Sequence, residues 1–303
     1  MFEAGVVTIN GPPEATEWDW SLSARPIDDE VIRRLRLKAY ELRRDVIEMV
    51  HRAGQGHPGG SLSAAEIVTA LYFYIMRHNP RDPAWPARDR FIMSKGHACP
   101  VWYAALAHCG YFPRETLWTL RRTHSILQGH PVMKTPGVDF TTGSLGHGLS
   151  AGLGMALGAR YQSEPYRVYV LISDGEMQEG LTWEAAMAAA HYRVRNLIAI
   201  LDYNGLQIDG NNHEVNDIEP VVDKWKAFGW RAREIDGHDM REVLMGLQWA
   251  RKAGGPAIVI AHTVKGRGVS FMEHDVEWHG KAPDADERNR AIDELERARR
   301  ALQ

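Results

Sequence analysis

The chain has 303 residues, enough for one large domain or two small ones, and 44% of them are hydrophobic, enough for a sizeable core. A formal net charge of −3 leaves no nucleic-acid or anionic-membrane footprint. Two cysteines, Cys99 and Cys109, make no disulfide framework and suit a reducing cytosol, and no apolar run reaches the ~20 residues that span a bilayer.

Residues 1–26 carry acids and prolines without a period, so they read as an arm that Trp18 and Trp20 could pin to a surface, and not as a signal peptide. A helix is expected from Ile27 to Gly54. Pro26 precedes it, Asp28, Asp29 and Glu30 fill its first turn, and Val31, Leu35, Ala39, Leu42, Val46 and Met49 form its apolar stripe. The glycine loop 54–60 follows. Its Gly54-x-Gly56-x-x-Gly59 matches the dinucleotide pattern formally, but a helix precedes it where that fold needs a strand. The loop is read instead as bringing backbone and His57 to a ligand. Ser61 is expected to cap a helix through about Arg77. After a proline-broken connection, Arg90 to Ser94 reads as a strand ending in Lys95-Gly96-His97, and Val101 to His108 as a helix. Histidines in loops, such as His97 and His130, are better functional candidates than histidines within helices. Thr141 to Gly148 opens a helix to about Tyr161. Its Gly148, Gly152, Ala156 and Ala159 leave one face nearly free of side chains, for close packing against a cofactor, another helix or the chain's own core.

The centre of the chain is a βαβ unit. Val168 to Ile172 ends in Ser173-Asp174-Gly175; a helix follows with Trp183, Ala186, Met187 and Ala190 on one face; Leu197 to Leu201 ends in Asp202-Tyr203-Asn204. Both polar clusters then lie at the carboxyl ends of parallel strands, where such sheets bind ligands. The Asp174 carboxylate, the Asn204 amide oxygen and a carbonyl at Gly205 or Leu206 suit a hard cation. Mg²⁺ takes about six oxygens, and fills the remainder from water and phosphate. A diphosphate ligand is therefore expected. Gly175 lets backbone approach it and opens the next helix, whose N-terminus favours anions. Further on, Asn216 to Phe228 is expected to be helical, Trp230 to Ile235 a strand, the stretch to Lys252 a helix, and Ala257 to Thr263 a fifth strand. Glu277 to Gly280 is a polar loop, and Asp284 to Gln303 a charge-rich, solvated terminal helix.

Asp-Gly, 28 residues, then Asn resembles the thiamine diphosphate signature, with Ser173 where the usual form has glycine. The strings GQGHPGGSLSAAEI, DRFIMSKGHACP, GHP at 129–131, TTGSLGHGLSAGLGMALG, SDGEMQEGLTWEAA, LDYNGLQIDG, HTVKGRGVSFME and WHGKAP occur in order around it. Together they resemble the N-terminal, diphosphate-binding portion of transketolase over roughly Asp28 to Pro283. At about half a transketolase's length, the chain is similar to the N-terminal subunit of a split transketolase.

The resemblance implies an α/β fold, a three-layer α/β/α sandwich with a mainly parallel sheet. It implies a thiamine diphosphate-binding domain at 27–283, between the arm at 1–26 and a C-terminal helix at 284–303. It implies Mg²⁺, with Ca²⁺ or Mn²⁺ as substitutes, held on the diphosphate by Asp174, Asn204 and the Leu206 carbonyl. Gly175 would give a backbone contact, Glu179 would sit at the subunit contact, and Gly143 and Leu145 would line the aminopyrimidine. His57, His97, His130 and His279 match active-site histidines. His97 and His130 would meet the hydroxyl of the transferred unit, His57 and His279 would serve proton movement, and His97 and His279 would also border the cofactor. His147 stands where the family commonly has glutamine and receives no role; His262 is read as structural. The implied reaction moves a two-carbon ketol unit from a ketose phosphate to an aldose phosphate. A separate C-terminal subunit with the pyrimidine-binding domain would complete a cytoplasmic α2β2 assembly. Alternatives are a 1-deoxyxylulose-phosphate synthase-like or specialised-metabolism ketol transferase subunit, a cofactor-holding subunit without turnover, and a nicotinamide-binding domain, which lacks its strand–glycine–helix context.

Overall fold

The computed structural model describes residues 20–302. Among the described residues seven strands occur in chain order: β1 Arg90–Met93, β2 Val168–Ser173, β3 Leu197–Tyr203, β4 Leu206–Gln207, β5 Gly210–Asn211, β6 Arg231–Asp236 and β7 Ala257–His262. Five of them form one sheet in the order β1-β2-β3-β7-β6, with every neighbouring pair parallel. β4 and β5 pair as a separate antiparallel hairpin that the sequence did not lead us to expect. The helices are α1 Asp29–Ala53, α2 Pro58–Ser63, α3 Ala65–Ala70, α4 Cys99–Cys109, α5 His147–Tyr161, α6 Gly180–His191, α7 Asn212–Val215, α8 Val221–Ala227, α9 Met240–Arg251 and α10 Ala285–Arg300.

β2 and β3 are buried along almost their whole length, as continuous apolar runs in a parallel sheet must be. Alternate residues face opposite layers. Phe91, Tyr169, Leu171, Ile198, Ile200 and Val259 pack with α1, α3, α4 and α9; Ile92, Val168, Val170, Leu197, Ala199 and Ile258 pack with α5, α6 and α8. The result is the expected three-layer α/β/α arrangement. α10 lies on α1, burying Ala291 and Leu295 and pairing Arg288 with Glu48 at 2.7 Å. It is docked against its own chain and not solvated all round. Among the described residues, no helix is long and apolar enough to cross a membrane.

The small-residue face of α5 serves intrachain packing. A Cβ on Gly148 would come within 2.4 Å of the Ser94 Cβ, and one on Gly152 within 2.5 Å of Val170 Cγ2. Gly154, on the other side of the helix, meets nothing. Gly148→Ala is therefore expected to cost about 1–3 kcal/mol by overpacking, read as a lower Tm, while Gly154→Ala should cost nothing. Equal melting of the two variants would refute this account of the helix.

Several expected boundaries need correction. Ser61 does not cap its helix: the N-cap is His57, Pro58 takes the first position, and the Ser61 hydroxyl donates back to the His57 carbonyl at 2.9 Å. That helix also breaks at Ala64 and ends in a π-turn, Leu71–Ile75. Residues 216–228 are helical only from Val221, because Pro220 occupies the N-cap and Asp217 and Glu219 turn the chain ahead of it. Gly175 does not open an α-helix. It heads a 3₁₀ turn, Gly175–Gln178, and α6 begins at Gly180. The buried face of α6 is Thr182, Ala185, Ala186 and Ala189, which leaves Met187 54% exposed. Trp18 lies outside the described residues.

Candidate functional site

A cleft of 360 Å³ opens at the carboxyl ends of the central strands. All eleven residues singled out from the sequence line it: His57, His97, His130, Gly143, Leu145, Asp174, Gly175, Glu179, Asn204, Leu206 and His279. They arrive from separate loops, so their meeting is a product of the topology. β2 and β3 run in register, Ser173 beside Asp202, and this sets the two polar clusters next to each other.

Asp174 clasps the neighbouring loop directly. Its Oδ2 accepts from the backbone N–H of Asn204 at 3.1 Å and of Gly205 at 2.7 Å, and its Oδ1 from Gly175 at 2.9 Å. Only 1% of Asp174 is exposed. Burial, reinforced by the nearby Asp202, pushes its carboxyl up to about 6. No ion pair involves Asp174 among the described residues. The charge of Lys265 offsets this only in part, so a cation between the two loops would stabilise the buried carboxylate. Asn204 turns its Oδ1 to the Leu206 N–H at 3.1 Å. Of the two carbonyls left open by the sequence, that of Gly205 is taken by the Asn212 N–H at 3.0 Å. That of Leu206 faces the cleft and accepts from Lys265 Nζ at 3.2 Å. No three His, Cys, Asp or Glu side chains converge as a metal cluster among the described residues. A cation here would thus rest on one carboxylate, one amide oxygen, one carbonyl and oxygens from its ligand. That donor set fits Mg²⁺ with a diphosphate.

The histidines form another wall of the same cleft. Ring centroids of His57 lie 5.3 Å from His97, 5.4 Å from His279 and 6.3 Å from His130, and His97 lies 4.9 Å from His279. Burial drives all four towards the neutral form. It takes His57 down to about 4, with help from His130, Arg121 and Lys265, and His279 to about 3, with help from Lys265. His97 falls well below its ordinary value, and His130 is lowered too. Lys265 Nζ approaches His279 Nδ1 at 2.9 Å, so a charged lysine makes that nitrogen the acceptor and leaves the proton on Nε2. The buried His57 Nδ1 has no partner, which leaves it free for a ligand. His57 and His279 should therefore stay neutral from pH 8 down to about 5.5, visible as flat imidazole NMR shifts. A midpoint near 6.5 at His57 or His279 would contradict this. Because their folded values lie below the ordinary 6.5, the unfolded chain takes up these protons first. Acidification from about 6.5 towards 4 then erodes stability.

Sequence reasoning missed the charged groups beneath this wall. Lys95 is 1% exposed, pairs with the fully buried Asp202 and donates to the Gly60 carbonyl at 2.8 Å. Glu176 ties three loops together, accepting from Ser94, from the Gly146 N–H at 2.9 Å and from the Ser173 N–H at 2.9 Å. Gly146 sits at φ 82, and a Cβ there would lie 2.9 Å from the Glu179 Cβ, so glycine is needed for that approach. Lys265, brought down to about 8 by burial, lines the cleft together with Lys95. Arg121 lies over Gly129, where a Cβ would fall 2.1 Å from its Nη1, and its charge faces His130 and His57. Lys95, Glu176 and Lys265 stood inside the family-like strings, which was the one available signal; Arg121 had none. His147 is exposed at the start of α5, outside the lining. His262 pairs with Glu234 at 2.9 Å on the surface.

Residues 35–296 match the family described as transketolase, thiamine diphosphate binding domain. The chain is 45% identical over 265 residues to a 6-deoxy-6-sulfo-D-fructose transketolase subunit of Clostridium sp. (strain MSTE9), covering 87% of this chain and 96% of that one. It is 43% identical over 264 residues to an apulose-4-phosphate transketolase subunit of Phocaeicola vulgatus, covering 86% and 93%. Among solved structures, transketolase from Campylobacter jejuni superposes with a TM-score of 0.79 at 29% identity, over 88% of this chain and 47% of that one. The chain thus spans less than half the length of such solved transketolases, but nearly all of the two subunits.

Proposed function

The chain belongs to the transketolase family, and from that premise we propose that it is the N-terminal, cofactor-binding subunit of a split transketolase. The observation that carries the reading is the single cleft in which Asp174, Asn204 and the Leu206 carbonyl face four neutral histidines. Residues 27–283 would be the thiamine diphosphate domain, with 284–303 as its C-terminal helix laid on α1. A C-terminal subunit carrying the pyrimidine-binding domain would close the site, in a cytoplasmic α2β2 assembly. The two subunits matched above are named for a sulfosugar and for a sugar phosphate, so an anionic ketose is the substrate class we assign.

Thiamine diphosphate, when bound, supplies the carbanion and electron sink for cleaving a ketose beside its carbonyl. Asp174, Asn204 and Leu206 would hold Mg²⁺, and Gly175 would offer its backbone to the diphosphate. Gly143 and Leu145 would line the aminopyrimidine, with Glu179 at the subunit contact beside Gly146. The neutral imidazoles of His97 and His130 would hydrogen-bond substrate hydroxyls. His57 and His279 would take and return the proton at the ketose carbonyl, and the Lys265 contact presents His279 Nε2–H as a donor. His97→Ala should then lower turnover about 100-fold or more with little change in cofactor affinity. Parallel loss of both would make His97 a structural residue.

The functional test is two-carbon transfer by the chain mixed with its partner subunit. Ketose phosphates or sulfonates should be cleaved and an aldose extended. Condensation of pyruvate instead would favour a 1-deoxyxylulose-phosphate synthase-like reaction. Tight cofactor binding without any product would leave a binding subunit.

A further inference from the structure

A second concave site lies at the other end of the sheet. The loops 161–167, 192–196 and 251–256 enter β2, β3 and β7 at their amino ends, opposite the cleft, and they border a groove of 700 Å³. Six cations line it: Arg160, Arg167, Arg193, Arg195, Arg251 and Lys252, against one carboxylate, Glu164. In a chain of net charge −3 this is a local concentration of one sign. Arg160 and Arg251 are fixed by donating to the Tyr192 carbonyl at 2.7 Å and the Ile75 carbonyl at 3.3 Å. These bonds hold two guanidinium planes without neutralising them. None of the six forms an ion pair among the described residues.

Six uncompensated cations around a concavity repel one another, and a polyanion relieves that repulsion. Guanidinium groups match phosphate oxygens in pairs, and a groove focuses their field. We infer that this groove binds a small oligo-anion, a molecule carrying two or more linked phosphate groups. The inference stands apart from the catalytic reading, since the two sites share no residue.

The test titrates inorganic tripolyphosphate into the full chain in EDTA, where a metal-dependent cleft cannot take it up. One saturable site per chain is expected, weakening as salt rises from about 50 to about 150 mM. Joint Arg193→Glu and Arg195→Glu, both on exposed positions, should weaken binding by about 10-fold or more without shifting thermal unfolding. Asp174→Ala should leave it unchanged. Absent or unsaturable binding, binding lost in Asp174→Ala, or binding indifferent to the two charge reversals would overturn the proposal. So would clear preference for duplex DNA over tripolyphosphate.

Discussion

Asp174→Ala is expected to weaken Mg²⁺-dependent thiamine diphosphate binding by more than about 100-fold. Losing even an outer partner of a metal ligand typically costs about 10–100-fold, and Asp174 would be a ligand itself. The substitution also strands the N–H groups of Gly175, Asn204 and Gly205, which now converge on this carboxylate. Asp174→Asn separates the two effects, because its amide oxygen still accepts from the backbone while the charge is gone. It should lose metal dependence and keep the fold. The pH response follows from the same group. Its carboxyl is pushed up to about 6, so below that pH a proton competes with the metal. Affinity should fall about tenfold from pH 7.5 to 5 in the wild type and stay flat in the Asn variant. Calorimetry reads both, and an unchanged affinity in Asp174→Ala would remove the residue from the site.

The second large effect concerns the partner. The purified chain, given cofactor, metal and ketose phosphate, should turn over at least about 100-fold slower than the same chain mixed with a C-terminal subunit. That is the low end of what one missing acid–base group costs. The motive is twofold. The relatives matched along nearly their full length are named as subunits. The hairpin at the mouth of the cleft also presents Ile208 at 66% exposure, an apolar residue suited to being covered. Comparable rates with and without the partner would contradict the split reading.

How much of this could be read beforehand differed by the kind of interaction. The positions of Asp174 and Asn204 were legible because strand ends are marked by an abrupt change from Val, Ile and Leu to polar residues. The parallel register did the rest. The histidines were legible as members of short strings and not as a cluster, since only the fold brings residues 57 and 279 together. The buried charges were not legible. Lys95, Asp202, Glu176 and Lys265 look like solvated residues in a sequence, and their partners lie as far as 139 positions away in the chain. Helix ends failed where local chemistry outweighed periodicity, as at Pro58, Pro220 and the 3₁₀ turn after Asp174. The α5 glycines could be read as close packing, but their contact with Ser94 and Val170 needed coordinates. The basic groove was likewise invisible, being assembled from three segments each carrying only two cations.

The most direct measurement is a crystal structure of the chain with thiamine diphosphate and Mg²⁺. The account predicts one ion bound at about 2.0–2.1 Å by the Asp174 carboxylate, the Asn204 amide oxygen and the Leu206 carbonyl, with Lys265 displaced from that carbonyl and the diphosphate completing the shell. An ion held elsewhere, with Asp174 still bonded only to the backbone of its neighbours, would contradict it.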